Sequence, residues 1–218
     1  MCFSPSASFG ASAVLTGIGV ASMVCARSTP QRILSCIPLL FAIQQFSEGV
    51  LWLALLNQVH ANWEQPASYT FLIFAQVVWP IFMPFCMLVF EKHKERKRIM
   101  ATLLLAGVIL GSYLFYCLCT YSVKAIAQHQ HIKYDLGFAL STKWFFGLLY
   151  FIPTIVSPLF SSVKRMPLLG YLFLVSYIIS RLLFHFYVIS VWCFFGAIIS
   201  IVVLAIVLRS RKFSPHNF

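Results

Sequence analysis

The stretch Ala42-Ile-Gln-Gln-Phe-Ser-Glu-Gly-Val-Leu-Trp52 sets two amides and a carboxylate inside an apolar run. Gln45, Glu48 and Trp52 recur at i, i+3 and i+7, and Gln44 lies four residues before Glu48, so on a helix the four side chains form one stripe. The surrounding residues, 33–57, are long and apolar enough for one crossing of a bilayer, which takes about 20 residues. An ionised carboxylate near the centre of an isolated spanning helix costs roughly 2.5–3.5 kcal/mol on insertion scales. The stretch therefore reads as a polar stripe that faces the inside of a helical bundle and needs partners there.

Working outward, the whole chain fits that reading. Its 218 residues are 61% hydrophobic and only 10% charged, with a mean hydropathy of +0.88, too little polar surface to clothe a water-soluble globule. Apolar runs at approximately 7–26, 33–57, 68–91, 98–121, 143–163, 167–188 and 189–209 predict an all-α bundle of seven transmembrane helices in a single domain, 1–218, with the lipid bilayer as its main partner. The last two runs join into 43 residues, too long for one crossing, and divide near Val188, Ile189 and Ser190.

Charge sets the expected orientation. Arg27 and Arg32, the cluster Lys92, Lys94, Arg96, Lys97 and Arg98, then Lys164, Arg165, Arg209, Arg211 and Lys212 place 12 of the 16 basic residues in the odd-numbered loops and the tail. Lys124, Lys133 and Lys143 fall on the other side. The N-terminus is thus expected outside and the C-terminus in the cytoplasm. The net charge of +11 comes in short clusters between spans rather than on one contiguous surface, which argues against nucleic acid as a partner. Helix 1 reads as a retained span rather than a cleaved leader, since no basic n-region precedes it.

The seven cysteines are an odd, unspaced set and argue against a disulfide framework. Cys25, Cys36 and Cys86 read as reduced packing residues, while Cys2, Cys117, Cys119 and Cys193 fall in the outer half, where one disulfide is open to them. The long connection 122–142 carries Ala125, Ile126, Ile132, Leu136 and Leu140 at loose helical spacing and is expected to lie in part along the membrane surface. Pro80, Pro84, Pro153 and Pro158 interrupt helices 3 and 5, as packing kinks or as hinges beside a cavity.

Three titratable side chains fall well inside the spans: Glu48 on helix 2, and Arg181 and His185 on helix 6. At 1.5 Å per residue, Glu48 lies about 22 Å from the cytoplasmic entry of its helix and Arg181 about 21 Å from its own, so a Glu48–Arg181 pair is expected. His185 lies one turn beyond Arg181, and Gln76 on helix 3 reaches a similar level. Gln44, Gln45, Glu48, Trp52, Gln76, Arg181 and His185 form the candidate ligand site. Tyr113, Tyr116, Trp144 and Tyr150 would wall a pocket open to the outside. His129 and His131 in the long loop read as solvated, with a surface metal as the alternative.

The opening Met-Cys-Phe-Ser-Pro-Ser-Ala-Ser-Phe9, together with "QQFSEGVLW", Trp79-Pro80 and "SVWCFFGA" from Ser190, is similar to an uncharacterised bacterial integral-membrane family whose members begin Met-Cys-Phe-Ser. The resemblance covers most of the chain. It implies a multi-pass protein of the bacterial inner membrane, carries no activity, and gives a reason to place Cys2, Ser4 and Cys193 near the outer mouth.

Other families are excluded by single residues. Helix 7 has no lysine for a retinal Schiff base, and the chain has one aspartate, Asp135, outside the spans, too few acids and histidines for a ceramidase-type hydrolase. No Gly-rich phosphate loop, HExxH or CxxC occurs. The expected function is a transporter or channel-like protein for a small molecule or ion. A membrane enzyme using Cys2, Glu48, His185 and Cys193 with a metal or thiol is the first alternative, and a sensor or scaffold acting through "EKHKERKR" is the second. No cofactor or oligomeric state follows from the sequence.

Overall fold

The computed structural model describes residues 4–128, 131–138, 144–183, 187, 189–190 and 195–212. Helix α1 runs Pro5–Cys25, and its N-terminus is fixed by Ser4, whose hydroxyl accepts the Ala7 N–H, with Pro5 as the first helical residue. Helix α2, Thr29–Leu56, starts in the same way, with the Ser28 hydroxyl accepting from the Gln31 N–H and Pro30 in the first turn. Both starts precede the apolar runs by a few residues because a Ser cap and an early proline satisfy or remove the first orphan donors. Ser8, Ser12, Leu15, Gly19 and Ser22 form the buried face of α1. These small residues bring α1 close enough to α2 for Ser12 to donate to the Ala42 carbonyl at 2.8 Å.

After the short 3-10 turn Gln58–Trp63, α3 is one continuous helix made of Glu64–Leu72, the π-helical turn Ile73–Val78 and Trp79–Phe90. Helix α4 spans Lys94–Thr120. Helix α5 repeats the plan of α3: Trp144–Phe151, a π-helical turn Ile152–Val156, and Ser157–Leu159. Helices α6, Met166–Leu183, and α7, Gly196–Lys212, complete the described chain.

Among the described residues, five helices are long and apolar enough to cross a membrane: Pro5–Cys25, Thr29–Leu56, Gln58–Phe90, Lys94–Thr120 and Met166–Leu183. The described parts of the expected fifth and seventh spans include the apolar helical stretches Leu149–Leu159 and Gly196–Arg209. The chain is a membrane protein of mostly helical structure.

The connection 122–142 departs from expectation. Val123–Gln128 (β1) and His131–Leu136 (β2) form an antiparallel hairpin, with Val123 opposite Leu136 and Gln128 opposite His131. The governing period is two: Val123 and Ala125 are buried on β1, Ile132 and Leu136 on β2, while Lys124 and Asp135 point out. The hairpin sits on the joint end of α2 and α3, where Ala125 and Ile132 pack with Leu51, Trp52 and Ala67. Tyr134 stacks on Phe71 at 5.0 Å, and Gln65 reaches the Val123 carbonyl at 3.5 Å.

Helix α4 is clamped between the two π-containing helices. A Cβ on Gly107 would lie 1.9 Å from the Pro80 carbonyl oxygen and 3.4 Å from the Pro153 side chain, and one on Gly111 would lie 2.9 Å from Ile81. Gly107 and Gly111 are four apart, the small-residue spacing that lets membrane helices approach backbone to backbone. The approach has a polar side as well. Pro84 has no N–H to give the Pro80 carbonyl, so the Gly107 Cα–H face covers an acceptor that the helix itself cannot satisfy.

Candidate functional site

The α2 stripe is buried as its spacing requires. Gln44 and Glu48 are 0% exposed, Gln45 1% and Trp52 2%. The Trp79 indole Nε1 donates to Gln44 Oε1 at 3.0 Å, joining α3 to α2, and its ring lies 4.2 Å from that of Phe41. Gln45 Nε2 donates to Glu48 Oε2 at 3.2 Å within the helix. Ser190 Oγ, from the segment between α6 and α7, donates to Glu48 Oε1 at 2.5 Å. The Glu48 carboxyl group thus joins its own helix to Ser190, 142 residues away in sequence.

The Trp79–Gln44 bond sets the register of α3 against α2. Glu48 lies one turn, about 6 Å, further along α2, which brings it level with the π-helical turn of α3. There the backbone supplies unusual geometry. The Trp79 N–H bonds the Phe74 carbonyl, one residue beyond the α pattern, and Pro80 has no N–H to offer Ala75. The stranded Ala75 carbonyl is taken by the Tyr150 hydroxyl of α5 at 2.5 Å. In α5 the Pro153 carbonyl is taken in turn by Ser157 Oγ at 2.7 Å. Wide turns of this kind re-aim side chains. Gln76 lies in the first and Thr154 in the second; Gln76 Oε1 and Thr154 Oγ1 are buried without a hydrogen-bond partner. On α6, Ser180 Oγ is likewise buried and unpartnered.

Arg181 does not play the expected part. The only ion pair among the described residues is the exposed Arg98–Glu95, so Glu48 and Arg181 are not in contact. The buried face of α6 runs Leu169, Gly170, Phe173, Ser176 and Ser180; Arg181, one residue on, is turned about 100° away and is only partly buried. Matching the depth of two charges on two helices left their rotation undetermined. Tyr113 and Tyr116 also turn outward, at 39% and 61% exposure; Tyr113 lines an apolar groove of about 540 Å³ between α4 and α5, with Ile109, Leu149, Ile152 and Pro153.

The expected opening of the pocket at the top of α2 is covered by the hairpin against Trp52. Its far end reaches the α6–α7 segment, where the Tyr187 hydroxyl donates to Gln128 Oε1 at 3.2 Å and the Tyr187 ring stacks on His131 at 4.7 Å. Cys2, His129, His185, Cys193 and the Trp144 side chain lie outside the described residues. No group of three or more metal-ligating side chains occurs among the described residues, and Cys36, Cys86, Cys117 and Cys119 are free thiols.

Sequence reasoning missed Ser190, Thr154 and Ser180, since serines and threonines in apolar helices carry no signal until their neighbours are known. Pro80 shows in the sequence that a carbonyl of α3 needs an outside donor; that Tyr150 supplies it does not show there.

The seven helical segments and the buried polar layer define a polytopic helical membrane protein with a hydrogen-bonded carboxylate in its core. The chain belongs to a family of unknown function, DUF6629, whose model matches residues 1–217. No curated protein and no solved structure matches it.

Proposed function

We propose that the layer around Glu48 is the binding station of a transporter or channel-like protein for a small polar solute or a cation, in the inner membrane of a bacterium, with the hairpin over its outer mouth and the C-terminus in the cytoplasm. One observation supports the reading: a fully buried carboxylate in a bundle whose interior also holds three buried side-chain oxygens, on Gln76, Thr154 and Ser180, that have no hydrogen-bond partner. Each such orphan costs about 1–3 kcal/mol, and a solute bearing hydrogen-bond donors recovers that cost when it is seated among them. Carboxylate, amide and hydroxyl oxygens together favour a ligand that donates or is positively charged. The π-helical turns in α3 and α5, both packed on α4, supply two points at which the walls of the site can shift.

The experiment is cation flux in proteoliposomes, with sodium, potassium, ammonium and guanidinium as probes, for the wild type, Glu48→Gln and Thr154→Val. Flux of at least one probe that falls in both variants supports the reading. Equal flux in folded variants, or no flux of any probe through the wild type, overturns it.

A further inference from the structure

The end of the bundle away from the hairpin holds a second buried carboxylate that the polar layer does not use. Glu91 follows α3 directly and is 4% exposed. Its Oε1 accepts from the backbone N–H groups of Lys92 and His93, both at 3.1 Å, and from Ser162 Oγ at 2.5 Å. Its Oε2 accepts from the Ser162 N–H at 2.9 Å. All four donors are neutral, so Glu91 staples the α3–α4 turn to the α5–α6 loop without drawing any cation onto itself. Arg96 adds a second tie by donating to the Phe160 carbonyl at 2.8 Å.

The stapled loops therefore show the outside one sign of charge. Lys92, Lys94, Arg96, Lys97 and Lys164 are exposed and Arg165 partly so. The one exposed acid in these loops, Glu95, pairs with Arg98 at 3.1 Å, a contact between exposed side chains that exchanges readily. Along α4 below them runs a groove of about 310 Å³, bordered by Glu95 and Arg98 at its head and by Ile99, Thr102 and Leu103 beneath. Over two helical turns the lining passes from charged to apolar. That sequence of polarity, at the end of five apolar spans, is the sequence of polarity in a phospholipid.

We propose that the Glu91-stapled double loop is a binding site for an anionic phospholipid, with the headgroup phosphate on basic side chains of both loops and an acyl chain along the α4 groove. The site is a built one rather than a diffuse positive surface, because the two loops that share the phosphate are 71 residues apart and are held together by one carboxylate.

The test is lipid retention by the full-length protein, read by native mass spectrometry, with phosphatidylglycerol and phosphatidylcholine as probes and inorganic phosphate as competitor. Phosphatidylglycerol is expected to be retained in preference, and Lys164→Gln with Arg165→Gln to weaken that preference by about fivefold per charge. Glu91→Gln is the sharper variant. It makes the surface more positive, so simple attraction predicts tighter retention, whereas a stapled site predicts weaker retention. Equal retention of the two lipids overturns the proposal, as does a folded Glu91→Gln protein that holds phosphatidylglycerol as well or better. Displacement of the lipid by millimolar inorganic phosphate also overturns it, since the site would then be one for free anions. The Lys164 and Arg165 pair decides the matter if Glu91→Gln fails to fold.

Discussion

Replacing Gly107 with alanine tests the backbone contact on which both π-containing helices lean. The added Cβ would stand 1.9 Å from the Pro80 carbonyl oxygen and 2.8 Å from its carbon. Both are backbone atoms, so no rotamer change relieves the clash, and α3 and α4 must part by about 1 Å before the contact becomes tolerable. Overpacking of this kind costs roughly 1–3 kcal/mol, and here it also uncovers a carbonyl with no helical donor. Against it stands the gain of about 0.8–1.0 kcal/mol for alanine over glycine in a helix. Gly17 supplies the control, since a Cβ there meets nothing within 4 Å, and only the helical gain applies. The assay is thermal unfolding in detergent followed by a thiol-reactive dye, with Cys86, fully buried in the core, as reporter. Gly107→Ala is expected to lower the midpoint by roughly 2–8 °C and Gly17→Ala to hold or raise it. A Gly107→Ala midpoint equal to that of Gly17→Ala would refute the close approach of α4 to Pro80.

Tyr150→Phe leaves the Ala75 carbonyl without a donor and is expected to cost about 1–3 kcal/mol in the same assay; an unchanged midpoint would mean that the wide turn satisfies itself. Thr154→Val removes a buried hydroxyl that bonds nothing, so it should leave stability unchanged or raise it by up to about 1–3 kcal/mol while lowering solute flux, and a loss of stability would count against the orphan. Glu48→Gln and Ser190→Ala, measured singly and together, should show a coupling energy of about 1.5–3 kcal/mol, and additive effects would dissolve the pair. Burial raises the Glu91 carboxyl pKa, but the Ser162 hydroxyl and amide and the His93 and Lys92 amides outweigh it and hold the carboxyl below its ordinary value. Its stabilising contribution is therefore complete above the ordinary carboxylate range and is lost as pH falls through the lowered folded value; midpoints measured from pH 7 to pH 3 should show an acid limb that is flattened in Glu91→Gln.

Much of the architecture was written in the order of residues. Apolar runs located α1 to α7, because in a bilayer a backbone must satisfy itself locally and only long apolar helices do so. The i, i+3, i+7 spacing put Gln45, Glu48 and Trp52 on one buried face of α2 for the same local reason. The prolines marked the two places where α3 and α5 leave the α pattern.

What the sequence left open was rotation and pairing, which belong to contacts between segments. Depth along a helix is a count of residues, so Glu48 and Arg181 could be matched in height; their facing depends on how α6 packs, and packing buries Ser176 and Ser180 while turning Arg181 aside. The hairpin was missed because Ala125, Ile132 and Leu136 fit two periods, and only packing on Leu51, Trp52 and Ala67 selects the period of two. Ser190 as the donor to Glu48, and Tyr150 as the donor to Ala75, are likewise decisions of tertiary structure. The sequence by itself determined that a carboxylate shares one stripe of an apolar span with Gln45 and Trp52, since spacing along one helix fixes its faces. That Ser190, 142 residues away, joins Gln45 in holding it was decided by tertiary packing, because a buried carboxyl group binds whatever donor the packing brings within reach.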